Sequence, residues 1–167
     1  MQYSRSDGNI FLPEHDKCRA HEHPSSNILI GVAHAARRFW HPQAHWDKVP
    51  GVVKTSVGYT GGSTSNPDYK SVCRGDGHTE ALKVTFDSSV LTYEEVMRQV
   101  LPDACEGRAK AQYMSAVWTQ TNEQAKVAKQ VAQSLGKEKV PILPARAWHD
   151  AEEYHQHYVE KQTRRRH

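Results

Sequence analysis

An α+β domain, a mixed β-sheet with helices packed on it, is the fold this sequence predicts. Three observations lead there. Apolar or alternating runs interleave with helix-compatible segments, two helix starts carry capping residues, and neither a repeat nor a linker divides the 167 residues. A chain of that length buries roughly 70% of its unfolded surface around one core.

Taken in order, residues 1–26 read as an irregular arm punctuated by Gly8, Pro13 and Pro24. Residues 28–33 (ILIGVA) form a short apolar run, the mark of a buried strand. Trp40 to Lys48 has helical spacing and stops at Pro50-Gly51; Val52 to Tyr59 alternates as a strand and breaks at Thr60-Gly61-Gly62. Ala81 to Asp87 alternates again. Thr92 is an expected N-cap, with Glu95 in the capping-box position of a helix running to about Val100. Gln112 to Trp118 is a further expected strand. Asn122 to Gly136 is the clearest helix, capped by Thr121 or Asn122 and ended by Gly136. Val140 to Leu143 is extended, and His149 to Gln162 is a polar, helix-prone tail. The order β-α-β-β-α-β-α predicts a ferredoxin-like mixed sheet with packed helices over residues 27–162, followed by a basic tail at 163–167.

Composition narrows the function. Lys+Arg number 22 against 19 Asp+Glu, a net charge of +3 too balanced to imply nucleic acid. The run Arg164-Arg165-Arg166 reads as a solvated tail. Mean hydropathy is -0.78, and no apolar run approaches the roughly 20 residues a spanning helix needs. The first residues lack the apolar stretch of a secretory signal. Three widely spaced cysteines, Cys18, Cys73 and Cys105, fit reduced thiols in an intracellular compartment, cytoplasmic or organellar.

Seven strings stand in a fixed order: Phe39-Trp40, Pro50-Gly51-Val52, GYTGG at 58–62, NPDY at 66–69, GHTEAL at 77–82, QYMSAVW at 112–118 and AEEYHQ at 151–156. Together they resemble the methionine sulfoxide reductase A family over about residues 28–160, and GYTGG with GHTEA at this separation is highly specific. The resemblance implies that family's fold. It also implies reduction of the S-epimer of methionine sulfoxide, with a small molecule or a methionine-containing peptide as partner. By motif, Phe39 and Trp40 match the aromatic cradle of the methyl group, Tyr59 and Tyr113 the two hydroxyl donors, and Glu80 the acid.

The resemblance stops at the nucleophile. The family's turn reads Gly-Cys-Phe-Trp; here it reads Arg37-Arg38-Phe39-Trp40, so Arg38 stands at the cysteine's position. Arg108 aligns with an aspartate of many members, and the C-terminal resolving cysteine is absent. A guanidinium stays protonated and has no lone pair to attack sulfur. Arg38 is expected to pair with Glu80 and hold it ionised, whereas the family's chemistry needs it protonated.

Two site types follow as expectations. Arg37, Arg38 and Arg108 would collect a small carboxylate, sulfonate or phosphate, with Trp40 against its apolar end. Alternatively His34, with His41 and His45 one helical turn apart or with His78, would hold a transition metal together with Glu80. Cys18, His21 and His23 form a separate cluster in the arm. Three function classes remain open. The first is a repurposed enzyme acting on a small polar, anionic or sulfur-containing substrate. The others are a non-catalytic binder and a reductase using an unconventional cysteine, Cys73 or Cys105.

Overall fold

The computed structural model describes residues 26–30, 39–107 and 110–165. Among these, strands β1 (Ser26–Ile30), β2 (Val52–Thr60), β3 (Thr79–Asp87), β4 (Val117–Thr119), β5 (Ile142–Pro144) and β6 (His149–Asp150) form one sheet. Its order is β5-β4-β1-β3-β2-β6. β4 and β5 pair in parallel and the other neighbours antiparallel. Helices are α1 (Trp40–Trp46), α2 (Tyr69–Arg74), α3 (Tyr93–Val100), α4 (Asn122–Ser134) and α5 (Tyr158–Arg164). None is long and apolar enough to cross a membrane. The α+β architecture with a mixed sheet is therefore the one observed.

β2 and β3 form the spine, nine residues each, and their register decides which face each side chain takes. Val57 opposes Leu82, Thr55 opposes Val84, and Tyr59 opposes Glu80, so all six project to one face. Val57, Leu82, Val84 and Phe86 join Val96, Met97 and Val100 of α3 and Ala128 and Val131 of α4 in one core. Each large apolar side chain buried there contributes roughly 1.5–3 kcal/mol. The opposite face is smaller: Ala81, Ala116 and Trp118 pack with Met114, Leu143 and Trp148.

Gly58 is what lets β6 approach on that second face. A Cβ there would stand 2.4 Å from both the Trp148 ring and the His149 carbonyl oxygen. Gly58→Ala is expected to lower stability by about 1–3 kcal/mol, because backbone must yield; denaturant unfolding measures it.

The helix starts follow their caps. Thr92 accepts from Glu95 N at 3.3 Å while its own N–H donates to Glu95 Oε2 at 2.8 Å, the reciprocal box expected from sequence. Thr121, not Asn122, caps α4 by accepting from Gln124 N. α2 escaped the sequence reading, although Asp68 and Ser71 make a capping box and Gly75 ends the helix.

Two segments differ from expectation. Gln112–Trp118 is not a continuous strand: Ala111–Tyr113 is a 3-10 turn, and β4 starts at Val117. Thr79 Oγ1 donates to Ala111 O at 2.7 Å, which holds the turn against β3, and Tyr113 N donates to Lys110 O within the turn. Likewise His149–Gln162 is not one helix. Its first two residues pair with β2, and Ala151–His157 then form a strap. His157 ends the strap with φ 49, a left-handed conformation that delays helix α5 to Tyr158.

Candidate functional site

The core face of β2 and β3 carries Tyr59 and Glu80 side by side, 1% and 3% exposed. Phe39, at the start of α1, is equally buried. Its ring lies 6.4 Å from Tyr59, 6.0 Å from Trp40 and 5.2 Å from His155. The α1 start thus sets an aromatic wall beside a buried carboxyl.

The strap closes the wall. Trp40 Nε1 donates to His155 Nδ1 at 3.0 Å, and Trp40 stacks on Tyr158 at 4.0 Å. An indole N–H only donates, so Nδ1 is the accepting nitrogen of His155. Glu152 of the same strap accepts from the Tyr59 hydroxyl at 2.7 Å and from Tyr69 N at 2.9 Å. Burial, and then the hydrogen bond to Glu152, push the Tyr59 hydroxyl far above its usual range, so it remains a donor. Burial pushes the Glu152 carboxyl upward, but the Tyr69 N–H and Tyr59 hydroxyl outweigh it and hold the group below its ordinary value.

Glu80 is fixed from the other side. Gln112 Nε2 donates to Glu80 Oε1 at 2.6 Å and reaches Cys73 Sγ at 3.3 Å. One amide therefore touches both the buried carboxyl and an exposed thiol. Tyr113 follows Gln112 in the same turn but is 40% exposed.

Residues 32–167 match the peptide methionine sulfoxide reductase family. The chain belongs to it. A relative named "Probable peptide methionine sulfoxide reductase" from Schizosaccharomyces pombe is 40% identical over 125 residues, 66% of this chain and 74% of that protein. The peptide methionine sulfoxide reductase MsrA of Sulfolobus acidocaldarius is 34% identical over 136 residues, 74% and 77% of the two chains. Methionine sulfoxide reductase A of Corynebacterium diphtheriae superposes with a TM-score of 0.71 at 27% identity, covering 85% of this chain and 77% of that one.

Of the residues expected in a methionine sulfoxide reductase site, the fold brings Phe39, Trp40, Tyr59 and Glu80 together. Tyr113 sits in the exposed half of its turn. Arg37, Arg38, Arg108 and His34 lie outside the described residues, as does the arm with Cys18, His21 and His23. Among the described residues no group of three His, Cys, Asp or Glu is placed to hold a metal ion. His41 and His45 are exposed on α1. His78, 1% exposed, turns Nδ1 to Asp76 Oδ1 at 3.2 Å and stands edge-on to His149, a structural tie between loops.

Sequence reasoning gave no site role to Glu152, Gln112, Tyr69 or His155. Their signal was present, since Glu152 and His155 belong to AEEYHQ and Gln112 opens QYMSAVW. What was hidden is that a string about a hundred residues downstream folds back onto α1 and β2.

Proposed function

We propose that this methionine sulfoxide reductase relative keeps the ligand-recognising half of the family's site while its chemistry no longer runs through a thiol at the start of α1. Arg38, directly before Phe39 in the sequence, takes the nucleophile's place, and a guanidinium does not attack sulfur. The ligand is a small polar, anionic or sulfur-containing molecule, its apolar end against Phe39 and Trp40 and its polar end toward Glu80 and Tyr59. Any reaction there uses the ionised Glu80 as proton acceptor, and without one the pocket serves as a binding site. The observation that carries this reading is the buried Glu80, held at 2.6 Å by Gln112 beside the Phe39–Tyr59 wall. A carboxyl is costly to bury unless its partners hold it.

The test uses S-methionine sulfoxide with dithiothreitol as reductant. Quenching of tryptophan fluorescence without release of methionine is the expected result. Methionine release at rates typical of enzymes that is lost when Cys18, Cys73 and Cys105 are all replaced by Ser would sink it. A second reading has one observation in its favour, the Gln112 amide shared by Cys73 and Glu80. In that reading Cys73 is the nucleophile, and methionine release is lost in Cys73→Ser alone.

A further inference from the structure

Trp40 of the aromatic wall is held from two sides, by His155 at its indole N–H and by Tyr158 stacked on its ring. His157 stands between those two in the chain, and its left-handed backbone, φ 49, ends the strap and starts α5. No other non-glycine among the described residues has a positive φ. A residue with a Cβ keeps that conformation only where its surroundings over-determine it. Whatever holds His157 therefore also decides how His155 and Tyr158 meet the indole.

What holds it is a closed ring of hydrogen bonds. The His157 backbone N–H donates to Gln43 Oε1 at 2.7 Å, and Gln43 Nε2 donates to Thr55 Oγ1 at 3.3 Å. Thr55 Oγ1 donates in turn to Asp47 Oδ1. Asp47 Oδ2 lies 2.9 Å from His157 Nδ1 and closes the ring. A carboxylate only accepts, so Nδ1 is the nitrogen of His157 that carries a proton there. Both arms thus start at His157 and end on Asp47, and every donor meets an acceptor. The Gln43 amide fits in one orientation alone, with its oxygen toward the His157 N–H and its nitrogen toward Thr55.

The ring reaches Trp40 through α1 as well. Trp40 and Gln43 in the helix and Asp47 at its C-cap stand at positions i, i+3 and i+7, on one face. Gln43 and Thr55 are buried, so their links are shielded from water. The His157–Asp47 closure is partly exposed and contributes less. One helix face is pinned to the strap twice, at Trp40 by His155 and at Gln43 by His157.

We propose that Gln43 and His157 are positioning residues for Trp40, acting through the turn that lays Tyr158 on the indole. The inference rests on the reading of Phe39 and Trp40 as the place of the ligand's apolar end. An indole fixed in advance loses no freedom when a ligand arrives, so the ring raises affinity without touching the ligand.

The experiment labels the full chain with 5-fluorotryptophan and assigns Trp40 through Trp40→Phe. Trp118 and Trp148, which pack on the other face of the sheet, are internal references. Gln43→Met, similar in shape but without the amide, is expected to move the Trp40 fluorine resonance and leave the references in place. On unlabelled chains it should weaken fluorescence quenching by S-methionine sulfoxide about tenfold, the equivalent of one hydrogen bond. His157→Gly permits the turn but drops the link to Asp47, and should weaken quenching about threefold. His157→Asn tolerates the left-handed backbone and carries an amide toward Asp47, so it should restore both readouts. Should Gln43→Met fail to fold, the two His157 variants decide alone. A Trp40 resonance unmoved in the folded variants, or one that moves together with Trp118 and Trp148, would overturn the proposal. If the unmodified chain shows no quenching, the ligand reading falls, while the fluorine resonances still decide the positioning.

Discussion

Replacing Arg38 by Cys is expected to raise the dithiothreitol-dependent reduction of S-methionine sulfoxide by several orders of magnitude. The thiolate would attack the sulfoxide sulfur. The S–O bond breaks as the oxygen leaves to the cysteine with a proton from Glu80, giving methionine and a sulfenic acid. Dithiothreitol then returns the thiol, releasing water and oxidised dithiothreitol. The expectation rests on how much of the site needs no rebuilding. Phe39 is already in the core, and Tyr59 and Glu80 already share a face. Removing the guanidinium also removes the cation expected to keep Glu80 ionised, so one substitution restores nucleophile and acid together. Methionine release, followed by chromatography, decides it. A variant that binds the sulfoxide yet releases no methionine would mean that the remaining side chains no longer present the oxygen to Glu80.

Glu152→Ala is expected to destabilise the fold by about 2–4 kcal/mol, since it deletes two charge-assisted hydrogen bonds and leaves the buried Tyr59 hydroxyl without its acceptor. Glu152→Gln should fall between, keeping an oxygen for Tyr59 but losing the charge. The Glu152 carboxyl is held below its ordinary value of 4.5. Its stabilisation is therefore fully present above that value and is lost as pH falls through the lower folded value. Denaturant midpoints taken from pH 7 down to pH 3 (about where carboxyls titrate) should fall more steeply for the unmodified chain than for Glu152→Gln. Parallel curves would show that Glu152 does not carry this dependence.

Local signals carried much of the fold into the sequence. Thr92 with Glu95 and Thr121 ahead of α4 are short-range grammar, readable because cap and partner are three residues apart. The β3 strand was legible because Lys83 to Asp87 alternates between partly exposed and buried positions, the period-two mark of a strand. The errors fell where distant contacts override local preference. Ala111–Tyr113 turns because Thr79 holds its carbonyl, and His149–Asp150 pairs as a strand because Gly58 leaves room for it. In the site, Phe39, Trp40, Tyr59 and Glu80 were recognisable from motif strings. The roles of Gln112 and Glu152 were not, because hydrogen bonds to Glu80 and Tyr59 leave no periodicity behind.

The strap has a consequence for how the molecule comes into being. Trp40 waits for His155 across 115 positions, Gln43 for the His157 amide across 114, and Tyr59 for Glu152 across 93. A chain made at about 5–20 residues per second exposes the first of each pair on the order of ten seconds before the second exists. During that interval Tyr59 and the Trp40 ring are dressed only by water or by helpers of the synthesis machinery. Vectorial growth therefore leaves the aromatic wall open until the strap emerges. A product released early, short of Glu152, would lack the Trp40–His155 and Tyr59–Glu152 hydrogen bonds that close the aromatic wall.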